Sequence, residues 1–199
     1  MDSFEKQKYT PMAYDKYLNI FLNQVHVSDV NSLSEEDKKY LEYRKLNFQR
    51  SRRVEKTFEP TSEAKRIFSE ISSKQKWIVI TESWCGDSSQ NLPVIAKLAA
   101  LNNNIEFEIV LRDSNLTFMD FYLTNGSRSI PKLIVFDKNE HDLFQWGPRP
   151  AAIQKRFVEL KISGMEKSEI NKELHLWYSR NKGSEVEREI LELLKTTLK

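Results

Sequence analysis

The stretch Ile80-Thr81-Glu82-Ser83-Trp84-Cys85-Gly86-Asp87-Ser88 decides the fold. Just ahead of it, Trp77-Ile78-Val79-Ile80 is a short β-branched run with the composition of a buried strand. Just after it, Gln90 to Leu101 has helical spacing. A cysteine that follows a strand and opens a helix is in a chemically meaningful place. The free N–H groups and positive end of the helix stabilise the thiolate, the nucleophilic form. Gly86 lets the backbone turn close past the sulfur, and Ser88, one helical turn on, can donate a hydroxyl to it. Asp87 works the other way, because a carboxylate beside a thiol raises its pKa unless it points into water. With Asp87 turned to water and screened, the helix effect is expected to win and place the Cys85 pKa below the ordinary value of about 8.5.

Working outward, Glu106 to Leu111 reads as a second strand, and Leu116 to Leu123 as a helix stopped at Asn125-Gly126. Lys132 to Phe136 and Leu143 to Trp146 read as two strands joined by the turn Asp137 to Glu140. Strand, helix, strand, helix, then hairpin describes an α/β sheet with crossover helices. The flanks are helical. Met12 to Gln24 carries Tyr14, Tyr17, Leu18, Phe21 and Leu22 at helical spacing. Ser34 is an N-cap ahead of Glu35, Glu36 and Asp37, and that helix is expected to end at Arg50, Arg52 and Arg53. Thr57 to Pro60 reads as a link, and Pro60-Thr61-Ser62 opens another helix. Beyond the hairpin, Ala151 to Ile162, Ser168 to Tyr178 and Glu185 to Leu198 are helical. The division expected is an N-terminal helical extension over 1–56, an α/β domain over 57–162 and a C-terminal helical extension over 163–199.

Counting narrows the chemistry. The chain has 199 residues, 39% of them apolar and 30% charged, with 31 basic against 29 acidic side chains. That balance argues against a nucleic-acid partner held through a basic surface. No apolar run is long enough to span a membrane, and MDSFEKQKYT lacks a signal-peptide core, so the cytoplasm is the expected compartment. The five glycines are too far apart for a phosphate-binding loop or a nucleophile elbow. Cys85 is the single cysteine, and His26, His141 and His175 share no ligand spacing, so neither a disulfide nor a metal site is expected. The histidines read as surface or packed residues. Cys85 is the leading candidate for chemistry.

Trp84-Cys85-Gly86-Asp87-Ser88 resembles the W-C-G-P-C active-site motif of thioredoxins. Pro93 falls where the helix after that motif carries its kinking proline. Ser129-Ile130-Pro131 resembles the loop whose cis-proline faces the active cysteine, and Gly147 matches the glycine lining the same groove. A closer resemblance is to bacterial thioredoxin-family proteins that share W-C-G-D-x-x-Q-N-L-P-V-I (Trp84 to Ile95), L-T-N-G-x-R-S-I-P-K (Leu123 to Lys132) and W-G-P-R-P (Trp146 to Pro150). The resemblance implies a thioredoxin-like mixed sheet flanked by helices, a cis Ile130–Pro131 bond beside Cys85, and a groove between Trp84, Pro131 and Gly147.

Two departures bear on function. Ser88 replaces the second cysteine, so the resolving step of dithiol exchange is missing, and Val79 stands where thioredoxin buries an aspartate. Three readings stay open. Cys85 is a monothiol that attacks a disulfide and is resolved by an outside thiol such as glutathione, with protein or low-molecular-weight thiols and disulfides as partners and no bound cofactor. Or the fold is kept as a peptide- or partner-binding module without turnover. Or C-G-D-S behaves like the C-G-F-S of monothiol glutaredoxins, which hold an iron–sulfur cluster, against which Asp87 and the S-I-P loop both argue. Arg128 and Arg149 flank the expected groove from two loops and either offset Asp87, bind a carboxylate such as glutathione's, or lie solvated on the surface. The apolar stripes of the flanking helices need burial, by covering the groove or by dimerisation.

Overall fold

The computed structural model describes residues 8–198. Its centre is a five-stranded sheet in the order β1-β3-β2-β4-β5. The strands are β1 (Pro11–Met12), β2 (Gln75–Thr81), β3 (Ile105–Leu111), β4 (Lys132–Phe136) and β5 (Asp142–Trp146). β2 and β3 are parallel, with Trp77 opposite Phe107 and Ile80 opposite Val110. The other pairings are antiparallel. β2 is buried on both faces, as its near-continuous apolar run requires, with Trp77, Ile78, Val79 and Ile80 fully inaccessible.

Eight helices surround the sheet among the described residues: α1 (Tyr14–Val25), α2 (Glu35–Thr57), α3 (Ser62–Ser69), α4 (Ser88–Ala99), α5 (Leu116–Met119), α6 (Ala151–Ile162), α7 (Lys167–Asn181) and α8 (Ser184–Thr197). The α/β class, the strand order along the chain and the terminal hairpin agree with the sequence reading. The two-residue β1 was not expected. A two-residue strand carries no periodicity to read, and β1 exists because Pro11 and Met12 lie against Val110 and Ile109 of β3.

The Ser34 hydroxyl caps α2 by accepting from the Asp37 N–H at 3.1 Å. The expected stop near Arg53 does not occur, and α2 continues to Thr57. Its buried Asn47, Ser51 and Val54 keep one face inward through the last turns, and the Phe58 N–H closes onto the Val54 carbonyl. Packing of that face overrides the boundary suggested by the arginines. The helix after the cysteine begins at Ser88, so Cys85 sits in the turn that precedes it rather than in its first turn.

The principal core cluster ignores the expected segment boundaries. It joins Tyr17, Phe21 and Val54 to Trp77, Ile95 and Leu98, and these to Val186, Ile190 and Leu194. The opposite face of the sheet buries Ile78, Ile80, Cys85, Val110, Phe118, Ile130 and Ile134. The helical flanks therefore supply apolar mass to the sheet, which is where their stripes are covered. Phe21 is 1% exposed and meets Phe48 edge-on at 5.3 Å. Phe21→Ala should destabilise the protein by about 3–5 kcal/mol in urea denaturation, as a core phenylalanine does, rather than by the few tenths expected of a loosely attached helix.

Candidate functional site

The loop from Ser83 to Ser88 is held from several sides. Asn47 Nδ2 donates to the Ser83 carbonyl at 3.2 Å, and Ser83 Oγ donates to Gln24 Oε1 at 2.6 Å. Trp84 donates its indole N–H to Asp113 at 3.1 Å, and the Arg112 guanidinium stacks over its ring at 4.7 Å. These partners lie far apart in sequence but fix one short turn.

Within that turn the Cys85 side chain faces inward. Cys85 is 8% exposed and its thiol donates to the Ile130 carbonyl at 3.4 Å. The Ile130–Pro131 peptide is cis and so is Gly147–Pro148, the second of which was not foreseen. An alanine methyl at Gly147 would fall 2.2 Å from the Pro131 carbonyl oxygen, and Gly147 φ is +113°, so only glycine fits this close approach. Pro131 and Gly147 thus lie together, with Cys85 beside them through Ile130.

The electrostatic expectation for the thiol is overturned. Burial, and next the Asp87 carboxylate, push Cys85 up to about 11. The Ser88 hydroxyl and the backbone N–H groups of Ser88 and Asp87 pull the other way and lose. The helix donors are present, but the sulfur is out of water, and desolvation of a thiolate outweighs them. Ser88 Oγ is itself buried without a well-formed hydrogen bond.

Asp87 does not rotate into solvent. Its Oδ2 pairs with Arg149 Nη2 at 2.6 Å and its Oδ1 accepts from the Tyr178 hydroxyl at 2.9 Å. Asn91 Nδ2 donates to both the Tyr178 oxygen and the Pro148 carbonyl, at 3.1 Å each. Arg149 also donates to Gln154 and lies 4.4 Å over the Phe157 ring. Burial raises the Asp87 pKa while Arg149 and Tyr178 oppose it. Of the two arginines weighed as partners, Arg149 is the one that engages Asp87. Arg128 is exposed and held by both oxygens of Asp120 at 2.6 and 2.8 Å.

The expected groove between Trp84, Pro131 and Gly147 is divided. Pro131 is buried. Trp84, Gly86 and Asp87 instead line a cleft of about 1050 Å³ whose other walls are Tyr40, Tyr43 and Arg50 of α2 and His175 of α7. Gly147 lines a different cleft, of about 540 Å³. Helices α2 and α7 pass beside the loop and rebuild the surface there.

Sequence reading missed His175, Arg50 and Tyr178. His175 packs so closely on Gly86 that a methyl there would meet the ring at 3.0 Å. Arg53 donates to Gln90 Oε1 at 3.1 Å, which turns the Gln90 amide N–H toward His175 Nδ1 at 3.4 Å. Nδ1 therefore accepts and the ring is neutral. Burial, followed by Arg50, Arg53 and Arg149, lowers His175 to about 4. The spacing of His175 and Tyr178, three apart on one helical face, was the available signal, but nothing local says what that face meets.

The class defined by this architecture is a thioredoxin fold whose cysteine loop is enclosed by helical flanks. The thioredoxin family profile matches residues 34–175, and the chain belongs to this thioredoxin-like family. No curated protein sequence matches the chain at a significant level. A protein of unknown function from Pseudomonas aeruginosa has a similar structure, with a TM-score of 0.60, 16% identity, and 99% of each chain covered. An HIV epitope scaffold superposes with a TM-score of 0.54 and 18% identity over 93% of this chain and 99% of its own. At such identities the likeness concerns the fold. Among the described residues, no helix is long and apolar enough to cross a membrane.

Two predictions follow from the network around Asp87. Arg149→Met leaves a buried carboxylate unpaired and should cost about 3–5 kcal/mol in denaturant melts at pH 7. The His175 pKa is depressed on folding, so its contribution is full above the unfolded value near 6.5 and is lost as pH falls toward about 4. His175→Gln should remove that dependence, and the stability gap between wild type and variant should narrow or invert by about 1–2 kcal/mol between pH 7 and pH 4.5.

Proposed function

We infer that the protein is a thioredoxin-fold binding module. Its ligand or partner segment enters the cleft between α2, the W-C-G-D loop and α7, and Cys85 forms part of the loop's packed interior without turning over. One observation carries the reading: Trp84, Gly86 and Asp87 line the open cleft while Cys85 between them is buried and donates its hydrogen to Ile130. A thiol in that setting stays protonated at neutral pH, and a protonated thiol is a poor nucleophile. Ser88 in place of a second cysteine removes the step that would complete a dithiol cycle. The cleft offers what a binding site needs, an aromatic wall from Tyr40 and Trp84 next to cationic Arg50.

Monothiol exchange is the second reading, favoured by the Asp87 and Ser88 N–H groups directed at the sulfur. There, the Cys85 thiolate attacks one sulfur of a disulfide such as oxidised glutathione. A mixed disulfide forms, one glutathione thiolate leaves, and a second outside thiol regenerates Cys85. That step requires the loop to open and the thiol to lose its proton to solvent.

Alkylation of Cys85 by iodoacetamide, followed by mass spectrometry against pH, separates the two. The binding-module reading expects a rate at pH 8 about 100-fold below that of the urea-unfolded chain, following the drop in thiolate fraction, with the midpoint near 11. It also expects no adduct with oxidised glutathione over hours. A midpoint below 8.5 with stoichiometric adduct in minutes makes the monothiol reading the correct one.

A further inference from the structure

Lys132 follows Pro131 directly and opens β4. In the sheet it stands opposite Ile80, which is fully buried, and alternation places it on the face of Ile134 and Phe136. It is 7% exposed. Among the described residues no acidic side chain, hydroxyl or carbonyl pairs with it. Burial alone acts on its amine, in the direction of losing the proton, with no neighbouring carboxylate to oppose this.

The Lys132 stem is packed away while its ammonium keeps access to the cleft. A partly desolvated ammonium is costly without a counter-charge, and among the described residues none bonds to it. It lines a cleft of about 540 Å³ together with Arg149, Lys161, Ser127 and Ser129. The carboxylate in that lining, Glu189, already accepts from the Trp146 indole at 2.7 Å and from the Ala151 N–H at 2.7 Å. Arg149 is turned toward Asp87 by its Nη2, and its Nε, also buried, has no acceptor. Cations and hydroxyls thus gather around one cleft whose acid is already engaged.

We propose that this second cleft is a binding site for a small oxyanion, a phosphate or carboxylate group, with Lys132 as its principal charge partner and Lys161 and Arg149 as supporting cations. The Ser127 and Ser129 hydroxyls supply donors from the loop that leads into Pro131. The site lies on the Gly147 side of the proline loop and shares Arg149 with the cleft at Trp84, and it stands whether Cys85 is inert or reactive. A bound anion would neutralise Lys132 and hold the loop 124–131 against β4.

The test titrates the ¹⁵N-labelled full chain with inorganic phosphate at constant ionic strength, using sodium chloride as the matched control and sodium acetate as the second arm. Saturable amide shifts confined to residues 124–132 and 147–149, reduced at least tenfold in apparent affinity by Lys132→Met, are the expected result. A response to acetate as well identifies a carboxylate-tolerant site, and a response to phosphate alone identifies a phosphate site. Lys132→Met should also melt at a higher temperature than wild type without phosphate, and phosphate should raise the melting temperature of wild type alone. Shifts that match the chloride control overturn the proposal. So does phosphate affinity that is unchanged in Lys132→Met, for then water alone serves the lysine at the cleft mouth. Should the variant fail to fold, the wild-type titration alone decides: no saturable shifts at those residues means no site.

Discussion

A carboxylate taken out of water must be neutralised, and Asp87 is out of water at the tip of the loop that carries Cys85. Its partners come from two distant parts of the chain. Arg149 comes from the segment after the hairpin and Tyr178 from α7, and Asn91, in the helix that Asp87 itself introduces, holds the Tyr178 oxygen in place. Take Asp87 away and Arg149 and Tyr178 lose the acceptor they share. Leave Asp87 without them and its burial becomes a large cost. The helical flanks are thus tied to the loop by charge as well as by apolar packing. The closed position of α7 beside Gly86, with His175 against its backbone, follows from the same convergence.

That arrangement sets the chemistry of the sulfur. A cysteine in the turn before a helix usually benefits from aimed N–H groups and from solvent that carries away the proton. Here the N–H groups remain and the solvent does not. The neighbouring carboxylate, fixed by its partners, stays close to the thiol instead of turning outward. The helix donors still oppose Asp87, but desolvation acts with Asp87 and is the larger of the two. The thiol then finds its own acceptor in the Ile130 carbonyl, so the cis-proline loop and the cysteine satisfy each other.

What could be read from the residues was what residues declare locally. The β-branched run at Trp77–Ile80 signals a strand in any context, Ser34 with three acids behind it signals a helix start, and the proline after Ile130 marks a loop. The match of several such features in order was enough for the fold. The positions that escaped reading were those whose meaning depends on a distant partner. The continuation of α2 past Arg53 depends on what Asn47, Ser51 and Val54 face. His175 is an ordinary surface histidine until α7 is laid across Gly86. Asp87 looks free to rotate until Arg149 arrives from beyond the hairpin. Lys132 reads as the polar first residue of a strand, and only the sheet and the loop around it reveal that none of the described residues pairs with it.

The short strand β1 adds only two residues to the sheet, yet it occupies the edge of β3 beside Ile109 and Val110. Just before it, the Thr10 N–H is held by the Asn115 side chain at 2.8 Å, and Tyr9 stacks on Phe118 at 4.5 Å. The outermost strand therefore contains Pro11, which has no N–H to offer. A neighbouring copy that tried to extend the sheet on this side would find a ladder broken at its first rung. In a crowded solution this makes self-assembly into ribbons unfavourable along that border. Residues 9–12 thereby act as a terminator for lateral growth, a role unconnected with the cysteine and one that the remainder of the sheet could not perform for itself.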